Sequence, residues 1–297
     1  MIRVHPDFYP QFRCIAAECR HSCCIGWEID VDEDTLAEYR QVGGAFGARL
    51  CRNIAEGDAP HFVLGEGERC PFLNHENLCD IILNLGEDAL CQICSDHPRF
   101  YTWLPDRVEE GLGLCCEEAA RLLLSHGAPI RFLTQDEPDE EDLEADEGYY
   151  ALLERRERLF SILQDRAHTI PERLTAAFAL HGAVYTPRDG AQDVAFLTTL
   201  EALDERWRIL LNAWHAPEPW PEDEAEHLLV YLVYRYYLRY ALEEYDALFA
   251  LRFGALTLGV LAGLHGEKRA ELVRMWSAEL EYSEENLAAL ADHLMEN

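Results

Sequence analysis

The sequence predicts a mainly α protein. An irregular, cysteine-rich metal-binding N-terminal domain over residues 1–134 is followed by a helical C-terminal domain over 148–297, with an acidic linker at 135–147 between them. Three observations predict this. All eleven cysteines of the 297-residue chain lie between Cys14 and Cys116. The run 136–146 is nearly all acidic, contains Pro138 and has no apolar face to bury, as a solvated connection would. Beyond it, apolar residues recur near a helical period.

In the N-terminal part, Asp32 or Asp34 is placed to cap a short helix running to Tyr39. Gly43-Gly44-Ala45-Phe46-Gly47 reads as a flexible loop, because no strand precedes it to make a nucleotide-binding turn. Cys70-Pro71-Phe72-Leu73 and Leu78-Cys79-Asp80-Ile81 flank Asn74-His75-Glu76-Asn77, a composition suited to a tight turn. Residues 86–96 and 116–125 look helical. In the C-terminal part, 149–164 carries Tyr150, Leu153, Leu159 and Leu163 at helical spacing. Thr198-Thr199-Leu200-Glu201 suggests a capping box opening a helix through Leu211, and Pro217, Pro219 and Pro221 close that region. Residues 222–248 form one long helix, apolar on most sides and therefore central; its Tyr231, Tyr234, Tyr236 and Tyr237 read as core. Two further helices are expected over 252–264 and 268–280, with Ser283 capping a last one.

The net charge is -31, from 56 acidic against 25 basic residues, and Lys268 is the only lysine. Such a surface repels phosphate backbones, so nucleic acid is not an expected partner. The longest apolar stretches, 228–233 and 255–264, are too short or interrupted to span a bilayer, and no membrane association is expected. The first six residues lack the apolar core of a signal peptide, which points to a cytoplasmic protein.

In a reducing compartment clustered cysteines indicate metal or redox chemistry before disulfides, and an odd count cannot pair fully. The groups are Cys14-x4-Cys19-x3-Cys23-Cys24, Cys70-x8-Cys79, Cys91-x2-Cys94 and Cys115-Cys116. Loops this short can turn several thiolates toward one centre. Side chains of adjacent cysteines point in different directions, so Cys23 and Cys24 suit a larger cluster or two centres better than one tetrahedral ion. Zinc takes four thiolates or a mixture with imidazole, and iron–sulfur clusters also take four cysteines. Cys51, Cys91 and Cys115 are the members best read as small apolar fillers.

Read together, Cys14-Ile15-Ala16-Ala17-Glu18-Cys19-Arg20-His21-Ser22-Cys23-Cys24-Ile25-Gly26-Trp27-Glu28-Ile29-Asp30, Cys70-Pro71-Phe72-Leu73, Leu78-Cys79-Asp80-Ile81, Leu85-Gly86-Glu87, Cys94-Ser95-Asp96-His97-Pro98-Arg99 and Leu114-Cys115-Cys116-Glu117 resemble the flagellin lysine N-methylase family. The N-terminal region of that family belongs to the wider CxxCxxCC zinc- or iron-chelating group. The resemblance covers roughly the first 125 residues, with a faint echo at 231–237. It implies a protein-lysine N-methyltransferase that moves methyl from S-adenosylmethionine to lysine side chains of flagellin or another lysine-bearing protein. It also implies a cysteine-bound iron–sulfur cluster, of the 4Fe-4S type, with zinc as the alternative metal. The metal ligands it implies are Cys14, Cys19, Cys23, Cys24, Cys70, Cys79, Cys94 and Cys116. Cys91 is extra to the pattern, Ile93 stands where Thr is common, Cys115 replaces a Ser-like position and Glu117 stands where Pro is usual.

Catalytic and cofactor-binding residues are not marked by spacing. Asp30, Asp80, Trp27 and Tyr101 lie near the cysteine segments and are of the types that serve a sulfonium or a departing proton. His97 and Arg99 suit either a clamp on the cluster or the end of a helix, and Trp27 suits a lid over the metal site. The rival reading is a non-enzymatic iron–sulfur or zinc protein with a structural or electron-transfer role.

Overall fold

The computed structural model describes residues 2–57, 59–136, 145–244 and 246–296. The strands are β1 (Ile2–Pro6), β2 (Ile54–Ala55), β3 (His61–Phe62), β4 (Arg99–Trp103), β5 (Arg107–Leu112) and β6 (Phe132–Asp136). The helices are α1 (Glu33–Tyr39), α2 (Gly44–Arg52), α3 (Asp80–Leu85), α4 (Gln92–Asp96), α5 (Glu117–Ser125), α6 (Glu147–Leu163), α7 (Ile170–Ala179), α8 (Gly190–Leu197), α9 (Glu205–Asn212), α10 (Glu222–Glu243), α11 (Phe249–Leu261), α12 (Arg269–Leu280) and α13 (Glu284–Glu296). The protein is thus mostly helical with a small sheet, and the sheet is the part the sequence did not announce.

The chain divides into two compact units, Met1–Phe12 with Tyr101–Cys115 and Ala119–Asn297, and Arg13–Phe100 with Cys116–Glu118. The compositional reading drew its line at the acidic segment instead. Most of that segment, 137–144, lies outside the described residues. Its edges are structured: Gln135 and Asp136 pair with Arg3 and Ile2 in the sheet, and the Asp146 carboxylate accepts from Tyr149 N to cap α6.

The larger unit is built on a sheet of order β4-β5-β1-β6, with β1 parallel to β5 and antiparallel to β6. β5 hides itself from pattern reading because it carries two consecutive buried acids, Glu109 and Glu110. Arg156 of α6 answers Glu109 with both guanidinium nitrogens, Nη1 at 2.6 Å from Oε2, and Arg3 answers Glu110. The expected long helix is α10, ending five residues early at Glu243, and its four tyrosines are core as expected. The Tyr234 hydroxyl stands 2.7 Å from Val4 O and 3.1 Å from Glu110 O, tying α10 to the sheet. The fully buried Glu226 on α10 meets Arg173 at 2.8 Å and Arg166 at 2.9 Å.

Several local expectations shift. Thr198 and Thr199 do not open a helix; their hydroxyls donate to Ala195 O and Phe196 O, both at 2.7 Å, and close α8. Asp204 caps α9, its shorter carboxylate accepting from Arg206 N at 2.9 Å. The reciprocal capping box sits instead at Thr169 and Glu172, at the start of α7. Ser283 does cap α13, accepting from Asn286 N at 3.3 Å.

The smaller unit packs Ile29, Val31, Tyr39, Leu50, Phe62, Phe72 and Ile81 around the buried Cys70 and Cys91. Asp32, not Asp34, caps α1 through Thr35 N at 2.9 Å. The glycine-rich stretch is not a loop but the start of α2: Gly43 is its N-cap, and a Cβ on Gly47 would fall 1.7 Å from Val42 O. The helix expected over 86–96 breaks into a 3-10 turn, Glu87–Ala89, and the short α4, because Gly86 adopts φ 97° at the junction. Among the described residues no helix is long and apolar enough to cross a membrane.

Candidate metal centre

The tight turn expected at 74–77 forms, and its chemistry explains how Cys70 and Cys79 come together. Asn74 Oδ1 accepts from Glu76 N at 2.9 Å and Leu78 N at 3.0 Å, while Asn77 takes the left-handed conformation at φ 57°. Leu73 and Cys79 then bridge across the turn, and Asp80 N donates to Phe72 O at 2.8 Å. Arg49 braces the loop through Asp80 Oδ2 and Pro71 O, both at 2.7 Å. Asp80 is therefore a structural carboxylate.

The first cysteine segment is laid against this loop by its backbone. Cys70 N donates to Cys24 O at 2.8 Å and Gly26 N to Glu68 O at 3.1 Å. The third segment arrives at the head of α4, where Cys91 is the N-cap and Cys94 N and Ser95 N both donate to Cys91 O at 3.0 Å. Asp32, already capping α1, also accepts from Gln92 N at 2.8 Å and so holds α4 in place. Cys24, Cys70, Cys79, Cys91 and Cys94 all pack in the one apolar cluster of this unit.

Cys14, Cys19, Cys23 and Cys116 gather outside that cluster. A 3-10 turn, Ala16–Glu18, separates Cys14 from Cys19, and Ala16 N donates to Cys14 Sγ at 3.4 Å. The Cys19 thiol reaches His21 O at 3.3 Å and stands 3.9 Å from Glu117 Oε2, beside Cys116. Cys14 and Cys116 lie within electrostatic reach of both Cys19 and Cys23.

Burial pushes most of these thiols up, Cys19 to about 11 and Cys70 to about 12. Cys24 is the exception. A hydrogen bond from the Cys23 thiol, against the opposing effect of burial and aided by Ser22 and Arg69, brings it down to about 7; Cys23 rises in consequence. The Cys91–Cys94 pair behaves alike, Cys91 lowered as acceptor of the Cys94 thiol proton and Cys94 raised.

The remaining cysteines stand apart. Cys51 is exposed on α2, and Cys115 belongs to the larger unit, where its thiol lies against the Tyr282 hydroxyl. Trp27 packs on the apolar cluster and donates its indole N–H to Cys23 O. His97 ends α4 beneath Trp27, with ring centres 6.1 Å apart, and burial lowers its pKa to about 4. Arg99 Nη1 donates to Ser95 O at 3.1 Å, a helix-terminal contact. Arg69 and Glu117 were not singled out by spacing; only their contacts reveal them.

All eleven cysteines are free thiols. Among the described residues no group of three or more His, Cys, Asp or Glu side chains is arranged to hold a single metal ion. Four thiolates on one zinc must sit about 2.3 Å from it, whereas a cluster places its own inorganic sulfurs and irons between the ligands and spreads them wider. The donor set of soft thiols in fours fits the second geometry in kind. Beside α4 a cavity of about 470 Å³ is lined by Asp30, Val31, Asp32, Ala59, Pro60, Gln92, Ile93 and Asp96.

The chain is 31% identical over 134 residues to lysine-N-methylases of Salmonella typhimurium and Salmonella choleraesuis, an overlap of 40% of this chain and 32% of each relative. It is 28% identical over 130 residues to the flagellar biosynthetic protein FliU of Salmonella muenchen, 40% of this chain and 75% of that protein. The chain thus spans about a third of the length of the lysine-N-methylases it matches. No family model matches it, and no solved structure matches it. A mostly helical protein with a thiol-rich unit, distantly similar to lysine-N-methylases, is what fold and comparison together define.

Proposed function

We propose that the chain is a flagellin lysine methylase-like protein, an S-adenosylmethionine-dependent protein-lysine methyltransferase with iron–sulfur chemistry at its cysteines. The similarity to lysine-N-methylases and FliU carries the reading, and the gathering of the eight implied ligand cysteines in one unit supports it. Cys14, Cys19, Cys23, Cys24, Cys70, Cys79, Cys94 and Cys116 would hold the metal. A bound cluster would supply electron transfer or a Lewis-acidic iron.

The protein's own residues have three tasks in methyl transfer. They bind a cationic side chain, leave its amine neutral, and align it with the sulfonium methyl. The amine lone pair forms the N–C bond as the C–S bond of S-adenosylmethionine breaks, leaving S-adenosylhomocysteine and one proton. The cavity beside α4 is suited to the first two tasks. Asp30 and Asp96 on its lining attract a lysyl ammonium, and the Asp30 carboxylate is a ready acceptor for the released proton. Asp32 is committed to Thr35 N and Gln92 N.

The direct test is anaerobic incubation of the metal-loaded chain with flagellin and S-adenosylmethionine labelled in its methyl group. Label on flagellin lysines is expected, and none with an intact cluster overturns the reading. The limited overlap with lysine-N-methylases favours one second reading, a metalloprotein of structural or electron-transfer role. Absence of S-adenosylmethionine binding in calorimetry, with reversible reduction of the centre, would select it. Colourless zinc-loaded protein would select a zinc staple instead.

A further inference from the structure

We propose that the cysteine-rich unit holds two neighbouring iron–sulfur centres, with the adjacent Cys23 and Cys24 serving different ones. The inference rests on the reading of these thiols as cluster ligands and concerns how they divide.

One centre is a core centre. Cys24, Cys70, Cys79 and Cys94 pack into the same apolar cluster as Ile29, Phe72 and Ile81. Three separate backbone devices put them there: the Cys70 N to Cys24 O bond, the Leu73–Cys79 bridge across the Asn74 turn, and the N-terminal turn of α4. Cys94 is set toward Cys24 and Cys70, and Cys91 is its hydrogen-bond partner. Four thiols are thus ligands, and the fifth is a neighbour that polarises one of them.

The other centre is peripheral. Cys14, Cys19, Cys23 and Cys116 lie outside the apolar cluster, on the loop 14–23 and at the residue preceding α5. Glu117 fastens these two segments together by accepting from Arg20 N at 2.9 Å and Arg20 Nε at 3.0 Å. Cys23 lies within reach of Cys14 and Cys116, whereas Cys24 lies within reach of Cys70, Cys79 and Cys94. Each group supplies the four thiolates that one cluster takes. One cluster cannot use all eight. The groups touch only through the hydrogen bond between the Cys23 and Cys24 thiols, so the two centres sit side by side at a distance suited to electron exchange.

The test uses the full chain, reconstituted without oxygen with ferrous iron and sulfide. Iron and acid-labile sulfide are counted per folded chain, and iodoacetamide followed by peptide mass spectrometry maps the protected cysteines. The wild type is expected to hold twice the iron and sulfide of Cys19→Ser/Cys116→Ser. That variant should keep Cys24, Cys70, Cys79 and Cys94 protected while Cys14 and Cys23 become alkylated. Cys79→Ser/Cys94→Ser should show the converse. Because the core pair is buried, folding is checked by circular dichroism, and Cys14→Ser, at an exposed site, provides an independent arm that should also halve the metal. A wild type holding one cluster, or loss of all metal and all protection in folded Cys19→Ser/Cys116→Ser or Cys14→Ser, overturns the proposal. Methyl transfer is scored separately: its absence in a chain with two centres overturns the methylase reading and leaves this one standing.

Discussion

Glu117 grips Arg20 twice, Oε2 accepting from the backbone N–H at 2.9 Å and Oε1 from the guanidinium Nε at 3.0 Å. Glu117 stands where the methylase-like pattern usually has proline, and this clamp is what the replacement does here: it fixes the loop bearing Cys14, Cys19 and Cys23 against the segment bearing Cys116.

Glu117→Ala should therefore cost about 1 kcal/mol of stability, since half-exposed ion pairs are weak but a charge-assisted bond to backbone adds to them. Burial pushes the Glu117 carboxyl up, but the Arg20 N–H and guanidinium outweigh it and hold it below the usual carboxylate range. The contribution is present above the unfolded carboxylate pKa and fades as pH falls through the lower folded one. Urea denaturation of wild type and variant at pH 7 and pH 3.5 checks it; the difference should shrink at the lower pH.

His97 predicts the opposite kind of group and the same direction of loss. Burial lowers its pKa to about 4, so between the unfolded imidazole value and 4 the unfolded chain binds a proton that the folded chain does not. Stability should fall by up to ~2 kcal/mol as pH drops from 7 to 4.5. His97→Phe, which keeps an aromatic ring beside Trp27, should flatten that part of the profile followed by tryptophan fluorescence. An unchanged profile would mean that His97 is charged in the folded protein.

The Glu109–Arg156 pair has side chains only 1% and 2% exposed. Arg156→Leu should destabilise the larger unit by about 3–5 kcal/mol, because a carboxylate is left in the core without its partner. Glu109→Leu/Arg156→Leu should recover most of the loss, a result that equilibrium unfolding of the four-member mutant cycle will show.

In metal-free protein Cys24 should react first. Its thiol, at about 7, is substantially ionised at neutral pH, while Cys19 at about 11 is not. Timed iodoacetamide labelling at pH 7 should place Cys24 ahead of Cys19 and Cys70, and Cys23→Ser should slow Cys24 by removing its thiol hydrogen-bond donor. Faster labelling of Cys19 would contradict the assigned pair.

Much of the protein was legible in local pattern. The acidic run, the tyrosine-bearing α10, the Asn74 turn and the Ser283 cap depend on residues within a few positions of one another, and short-range sterics and hydrogen bonding decide them. The confinement of all cysteines to residues 14–116 likewise announced thiol chemistry before any fold was known. What stayed hidden depends on distant partners. β1 finds β5 a hundred residues along the chain, and β5 is disguised by Glu109, whose burial is possible only because Arg156 arrives from α6. The Thr198 box failed for a related reason: its hydroxyls found the carbonyls of the preceding helix first.

By itself, then, the sequence determined that this chain is mostly helical, strongly acidic and thiol-rich in its first half, because composition and periodicity act over one or two turns of chain. Only the tertiary structure decided which thiols become neighbours. Cys23 and Cys24 are adjacent in the chain, yet the Cys24 carbonyl is bound to Cys70 and the Cys23 carbonyl to Trp27, and those long-range bonds, not the spacing, give each thiol its own company.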